Sequence, residues 1–257
     1  MLKKLIQETI RVINISFLAK EMPDKIALYF HETESKELED LEKIILYFQE
    51  RGYFFVTVNE LTENLTSNLK HIALTFDDGF SNWTDTLELF KKYNVHATYF
   101  INTIQFTNLN LDKFLLDIRC PNSELLINKN EIIEIISYGH EIGAHTHTHR
   151  TLSKLDLPQL TEEIDTNVKI LNEIGAEINN FAIPYGMRRL IRNEHVPYLQ
   201  KKFNTIAYGE PGMLHHQEPG KLQRYPWKIH KSFQYNINNI KTDTSKFNLI
   251  TKRSGLG

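Results

Sequence analysis

Two runs of this chain, Ile26-Ala27-Leu28-Tyr29-Phe30 and His71-Ile72-Ala73-Leu74-Thr75-Phe76, are apolar at almost every position rather than at alternate ones. A strand built this way has no face to offer water and must be covered on both sides, the pattern of a parallel sheet flanked by helices. Helical stretches stand between the runs. Leu38, Leu41, Ile44, Ile45 and Phe48 share one helical face ahead of a stop at Gly52. Residues 53–58 read as extended, and Ser81 and Asn82 are expected to cap a helix carrying Leu87, Phe90 and Tyr93. Residues 96–101 read as a strand, 130–138 as a helix ended by Gly139, and 141–144 as a brief strand. Residues 156–174 form a long amphipathic pattern with Leu160, Ile164, Val168 and Leu171 inward and Gly175 at the end. A strand over 179–183, a helix within 190–202 and a strand over 203–207 follow. Such alternation implies parallel pairing through right-handed crossovers, hence an α/β barrel, open or closed, in a single domain.

A chain of 257 residues can bury one substantial core. Residues 103–128 break the rhythm with an Asn-rich patch and a mixed helix; they either shape a pocket or make a plain surface excursion. Met1-Leu2-Lys3-Lys4-Leu5-Ile6 begins like a signal peptide, but Glu8, Arg11 and Asn14 interrupt the apolar stretch. Residues 1–24 are therefore expected to form an amphipathic helix packing on the core, without stable membrane insertion, in a cytoplasmic protein. Residues 231–257 read as a C-terminal extension, frayed at its end. With 30 basic and 32 acidic residues the net charge is −2, which gives no broad basic field for nucleic acid. Cys120 is the only cysteine, so no intrachain disulfide can form and a zinc site would need nitrogen and oxygen ligands.

Chemistry-bearing residues sit where the strands end. Thr75-Phe76-Asp77-Asp78-Gly79 closes one apolar run, Gly143-Ala144-His145-Thr146-His147-Thr148-His149 follows another, and His31 follows the first. In a parallel barrel those ends converge on one mouth. Neighbouring residues at a strand end point in opposed directions, so one Asp can ligate a metal while the other faces the water. One carboxylate and two imidazoles leave coordination positions open, as metal-assisted hydrolysis of an amide or ester requires. Asp-Asp-Gly is also a common turn sequence, and alternating histidines can be a surface metal scavenger; their joint placement favours a shared site.

These motifs, with Phe181-Ala182-Ile183-Pro184-Tyr185-Gly186 as a third, resemble those of the polysaccharide deacetylases with a NodB-homology domain, carbohydrate esterase family 4. The resemblance covers roughly residues 25 to 225 and suggests a deacetylase domain over 25–230. It implies a distorted (β/α)7 barrel that removes N-acetyl, sometimes O-acetyl, groups from glycans. By the resemblance Asp77 is the general base, and Asp78, His145 and His149 hold a divalent metal, zinc foremost, with cobalt, nickel or manganese as alternatives. His147 falls between ligand positions and is left behind them or at the surface. The backbone N–H of Tyr185 would stabilise the oxyanion, with the Pro184 ring shaping the groove.

Two departures from the family pattern matter. The third motif commonly opens with an Arg that orients the base, and here Ala182 stands in its place; Arg224 is a possible substitute. No Leu-x-His motif supplies the general acid late in the chain, where His215, His216 and His230 fit poorly. A histidine after an early strand does match the circularly permuted deacetylases that act on poly-N-acetylglucosamine, so His31 is the acid candidate, with a buried structural histidine as the alternative. Trp83, Tyr185 and Trp227 could stack on a sugar or belong to the core. The expected partner is an N-acetylated sugar or glycan; the rival functions are a metal-retaining glycan-binding relic and an amidase for a small non-sugar substrate.

Overall fold

A computed structural model describes residues 22–31, 35–211 and 220–242. The expected N-terminal helix falls almost entirely outside the described residues, as do His215, His216 and residues 243–257. The strands are β1 (Lys25–Phe30), β2 (Tyr53–Phe55), β3 (Lys70–Asp77), β4 (Ala97–Ile101), β5 (Glu141–Ala144), β6 (Asn180–Ala182), β7 (Thr205–Tyr208), β8 (Lys221–Gln223) and β9 (Tyr225–Pro226). The helices include α1 (Ser35–Gln49), α2 (Val58–Glu63), α3 (Leu87–Tyr93), α4 (Asp112–Ile118), α5 (Lys129–Ser137), α6 (Leu157–Ile174) and α7 (Val196–Lys202).

Every strand pairing is parallel, in the order β8-β7-β6-β5-β4-β3-β1-β9, with β2 also on β3. The two ends of that order, β8 and β9, are separated in the chain by Arg224 alone. Arg224 N–H donates to Tyr208 O at 2.9 Å, and Trp227 N–H donates to Tyr29 O at 3.2 Å. One short stretch thus bonds to β7 on one side of Arg224 and to β1 on the other. It nearly closes the sheet into the expected barrel.

The interior is filled by small residues. Ala27, Ala73, Phe100, Ala182, Ala207 and Leu222, from six strands, pack as one cluster with Val58 and Leu61 of α2. The alanines leave room for Phe100, whose ring lies where a side chain at Gly143 would have to go. Larger residues on the opposite strand faces, such as Ile72, Leu74 and Phe76, meet the surrounding helices. Strand side chains repeat every two residues. The inward faces of Ala73, Phe100, Ala207 and Leu222 therefore lead to Thr75 and Asp77, Asn102, Gly209 and Arg224 at the carboxyl ends.

Two sequence expectations change, and one open alternative is decided. The segment 53–58 is extended only to Phe55, because Thr57 and Glu60 form a capping box that starts α2. Ser81 and Asn82 open a 3₁₀ turn over Ser81–Thr86, and the α-helix begins at Leu87 without a side-chain cap. The open alternative concerned the two tryptophans, which lie in the core beside Phe30, Phe76 and Tyr99 rather than free to stack on a sugar.

Candidate active site

Asp77 ends β3 facing inward and buried, and Arg224, itself fully buried, grips it with both ends of its fork. Arg224 Nη1 is 2.7 Å from Asp77 Oδ1, and Nη2 is 2.8 Å from Oδ2. Nη1 also donates to Thr75 Oγ1 at 2.9 Å. The guanidinium lies over the rings of Tyr29 and Phe100 at 5.0 and 5.2 Å. A bidentate pair in this setting fixes the carboxylate plane. Asp78 turns away because its backbone takes φ 86°, a left-handed conformation that a non-glycine residue adopts only under constraint.

The turn after β5 brings up the histidines. Thr146 and His149 also have positive φ, 66° and 58°, and buried polar side chains hold the turn. Asn102 donates to the carbonyls of His145 and Thr146, and Asn167 Oδ1 accepts the His145 N–H at 3.2 Å. Glu163 accepts from the Thr148 N–H and hydroxyl. His147 Nδ1 meets Thr103 Oγ1 at 2.9 Å, so this histidine packs behind the turn rather than joining the ligand atoms. Asn102, Asn167 and Glu163 carry no motif of their own, although Asn102 sits two residues beyond the inward Phe100.

One ligand atom from each of Asp78, His145 and His149 lies within 4.8 Å of the others, all in buried residues. The Nε2 atoms of His145 and His149 are each 3.3 Å from Asp78 Oδ1. His145 Nδ1 is 2.8 Å from the carbonyl of Ala182, which makes Nδ1 the protonated nitrogen of the neutral ring and leaves the Nε2 lone pair facing Asp78. Two imidazole lone pairs beside a carboxylate oxygen need positive charge among them, and this nitrogen and oxygen donor set fits a divalent metal ion. Without metal, the same demand appears in the ionisations. Burial opposes the Asp78 charge, but the His145 hydrogen bond and the charges of His149 and His31 hold its carboxyl at about 2. Burial also opposes a charge on His145, yet Asp78 prevails and raises that imidazole, whereas at His149 burial prevails and lowers it to about 4.

The site opens into a cavity of about 490 Å³. All the residues singled out from the sequence as catalytic or metal-binding line it: Asp77, Asp78, His145, His149, His31, Tyr185 and Arg224. His31 Nε2 is 3.9 Å from Asp78 Oδ2, and its side chain is 55% exposed, so it is no buried structural histidine. The Trp83 indole donates to the His31 carbonyl at 2.7 Å and the Tyr29 ring meets the imidazole edge-on, which ties His31 to the barrel. Tyr185 has φ 62°, is 44% exposed and packs its ring on His149 at 4.7 Å. Gly186 approaches the Gly209 backbone so closely that an added Cβ would lie 2.6 Å from Gly209 Cα. The insertion after β4 forms another wall through Asp117, Ile118 and Arg119, the pocket-shaping role among the two expected of it. His230 is not among the lining residues.

Residues 64–204, just over half the chain, match the polysaccharide deacetylase family. The chain is 31% identical over 139 residues to a bifunctional xylanase/deacetylase of Pseudobutyrivibrio xylanivorans, a match covering 52% of this chain and 20% of that protein. It is 31% identical over 136 residues to a chitin deacetylase of Arthroderma benhamiae, covering 52% and 30%. The matched region is thus well under half the length of these relatives. Among solved structures, the Streptococcus pyogenes deacetylase PplD in complex with acetate aligns with TM-score 0.63 at 17% identity, over 88% of this chain and 99% of that one. IcaB from Ammonifex degensii aligns with TM-score 0.64 at 17% identity, over 87% and 98%. At these identities the likeness is one of fold.

Proposed function

The chain belongs to the polysaccharide deacetylase family, and we propose that it hydrolyses the N-acetyl groups of a sugar or polysaccharide with the help of a divalent metal, zinc foremost. Asp78, His145 and His149 would hold the metal, which would supply Lewis acidity towards the acetyl carbonyl and lower the pKa of a bound water. Asp77 is the general base: it takes the water proton, and Arg224 keeps its carboxylate oriented and apart from the metal ligands. The Tyr185 backbone N–H steadies the oxyanion that develops as the carbonyl carbon becomes tetrahedral. His31, exposed at the mouth on the far side of Asp78, protonates the amine nitrogen as the C–N bond breaks.

The observation that carries the reading is the Arg224 fork on Asp77. A protein that kept a metal site as a relic would have no use for a second buried carboxylate gripped beside it. The fork restores, from the barrel seam, the orienting arginine that Ala182 lacks. An acid drawn from the end of β1 supports the permuted subgroup and hence a poly-N-acetylglucosamine-like substrate. Purified protein loaded with zinc or cobalt is expected to release acetate from N-acetylglucosamine oligomers; metal-loaded protein inert towards a broad set of acetylated sugars would contradict the proposal.

A further inference from the structure

The helix α4 ends at Ile118, and Arg119 closes it in a left-handed conformation, φ 60° and ψ 30°. Its N–H reaches back to Leu116 O at 3.2 Å, and Cys120 N–H reaches Leu115 O at 2.8 Å. This is the helix-ending position that glycine fills at least cost, because a Cβ strains it. Here a long, charged side chain occupies it. Arg119 and Asp117, two residues apart, both line the cavity that holds the candidate ligands. Asp117 lies near enough for its charge to act on His149 and Tyr185. Among the described residues neither forms an ion pair or a side-chain hydrogen bond, unlike Asp77 with Arg224 and Asp78 with the histidines.

The geometry points to Asp117 and Arg119 as a clamp for the hydroxyl groups of an uncharged sugar unit next to the one being deacetylated, which makes them positioning residues that favour oligomers over single sugars. The opposite signs choose the ligand class. An anionic substituent drawn to Arg119 is repelled by Asp117 two residues away, and a free amine meets the reverse conflict. A neutral polyol satisfies both, since its oxygens accept from the guanidinium and its O–H groups donate to the carboxylate. The inference rests on the proposed glycan substrate and extends it to at least two sugar units.

Arg119→Gly relieves the backbone strain, so the variant is expected to melt no lower than the parent, and a loss of function then cannot be a loss of fold. Arg119→Gly and Asp117→Ala should each raise KM for an N-acetylglucosamine tetramer about tenfold relative to KM for the monomer, with kcat for the tetramer changed less than twofold. Leu116→Ser, on the same helix at a residue 77% exposed and outside the cavity, should leave that ratio as it is. The same comparison by calorimetry in the metal-loaded Asp77→Asn background reads binding without turnover, so the clamp is tested even if the parent proves inactive. An unchanged tetramer-to-monomer ratio in both variants overturns the inference. So does tighter binding of a carboxylated oligomer that only Arg119→Gly weakens, which would assign Arg119 to an anion instead.

Discussion

Asp77 and Asp78 share a peptide bond and almost nothing else. Asp77 continues the strand, points inward and meets a guanidinium; Asp78 leaves the strand at φ 86° and meets two imidazoles. Their substitutions should therefore separate. Asp77→Asn is expected to lose turnover while keeping stoichiometric metal, and Asp78→Asn to lose the metal itself, with metal content read by elemental analysis alongside acetate release. Parallel loss of metal in both would assign both carboxylates to the ion. His31→Gln should lower kcat about 10²–10⁴-fold and leave metal content alone; full kcat in that variant would put the acid elsewhere. At this scale the ligands were legible because two strand-end motifs resemble those of a known family, and the resemblance picks Asp78, His145 and His149 out of two aspartates and three histidines. Arg224 was legible only as a possible substitute, since nothing near residue 224 in the chain announces that Asp77 lies beside it. Asp117 and Arg119 left no trace beyond the broken rhythm of their segment.

The elements hold these side chains through backbone contacts that tolerate little. Gly186 meets Gly209 where the end of β6 passes the end of β7, with a bond from Gly209 N–H to Gly186 O at 2.8 Å. Alanine at 186 would bring its Cβ to 2.6 Å from Gly209 Cα at φ 68°, combining a backbone clash with a left-handed strain. Gly186→Ala is expected to cost about 2–4 kcal/mol, read as a lower urea midpoint. It should also displace Tyr185 and with it the proposed oxyanion donor; a variant as stable and active as the parent would show that the turn can relax. Helices with local punctuation were readable, as in α6, where the Asp156 cap and Gly175 at φ 107° bracket the apolar stripe. The unforeseen α2 had its Thr57 and Glu60 capping box in plain view. The short strands β8 and β9 had no such signal, because three and two residues become strands only through partners far away in the chain.

Over the whole molecule, the two ends of the barrel separate stability from chemistry. Away from the mouth, His140 at the start of β5 packs against Phe90 and Tyr99, and its Nδ1 accepts the Ala97 N–H at 3.2 Å, which keeps the ring neutral. Burial first, and the neighbouring His96 second, lower this imidazole to about 4 from an ordinary 6.5. The unfolded chain then binds the extra proton between those values. Its contribution is intact above pH 6.5 and is lost as pH falls towards 4, by about 3 kcal/mol in all. Urea denaturation from pH 7 to 4 should show this decline, and His140→Gln should flatten part of it; an identical slope in the variant would place the proton uptake elsewhere. No helix among the described residues is long and apolar enough to cross a membrane. What the sequence by itself determined was the parallel α/β class, through strands with no face for water, and the strand-end Asp and His motifs, whose resemblance to a known family named the candidate ligands. What only the tertiary structure decided was the meeting of distant segments: the seam that carries Arg224 onto Asp77, 147 residues away in the chain, and the insertion that walls the cavity. The physical reason is that inward direction in a strand is a local, two-residue property, whereas which inward residues face one another depends on how the sheet closes.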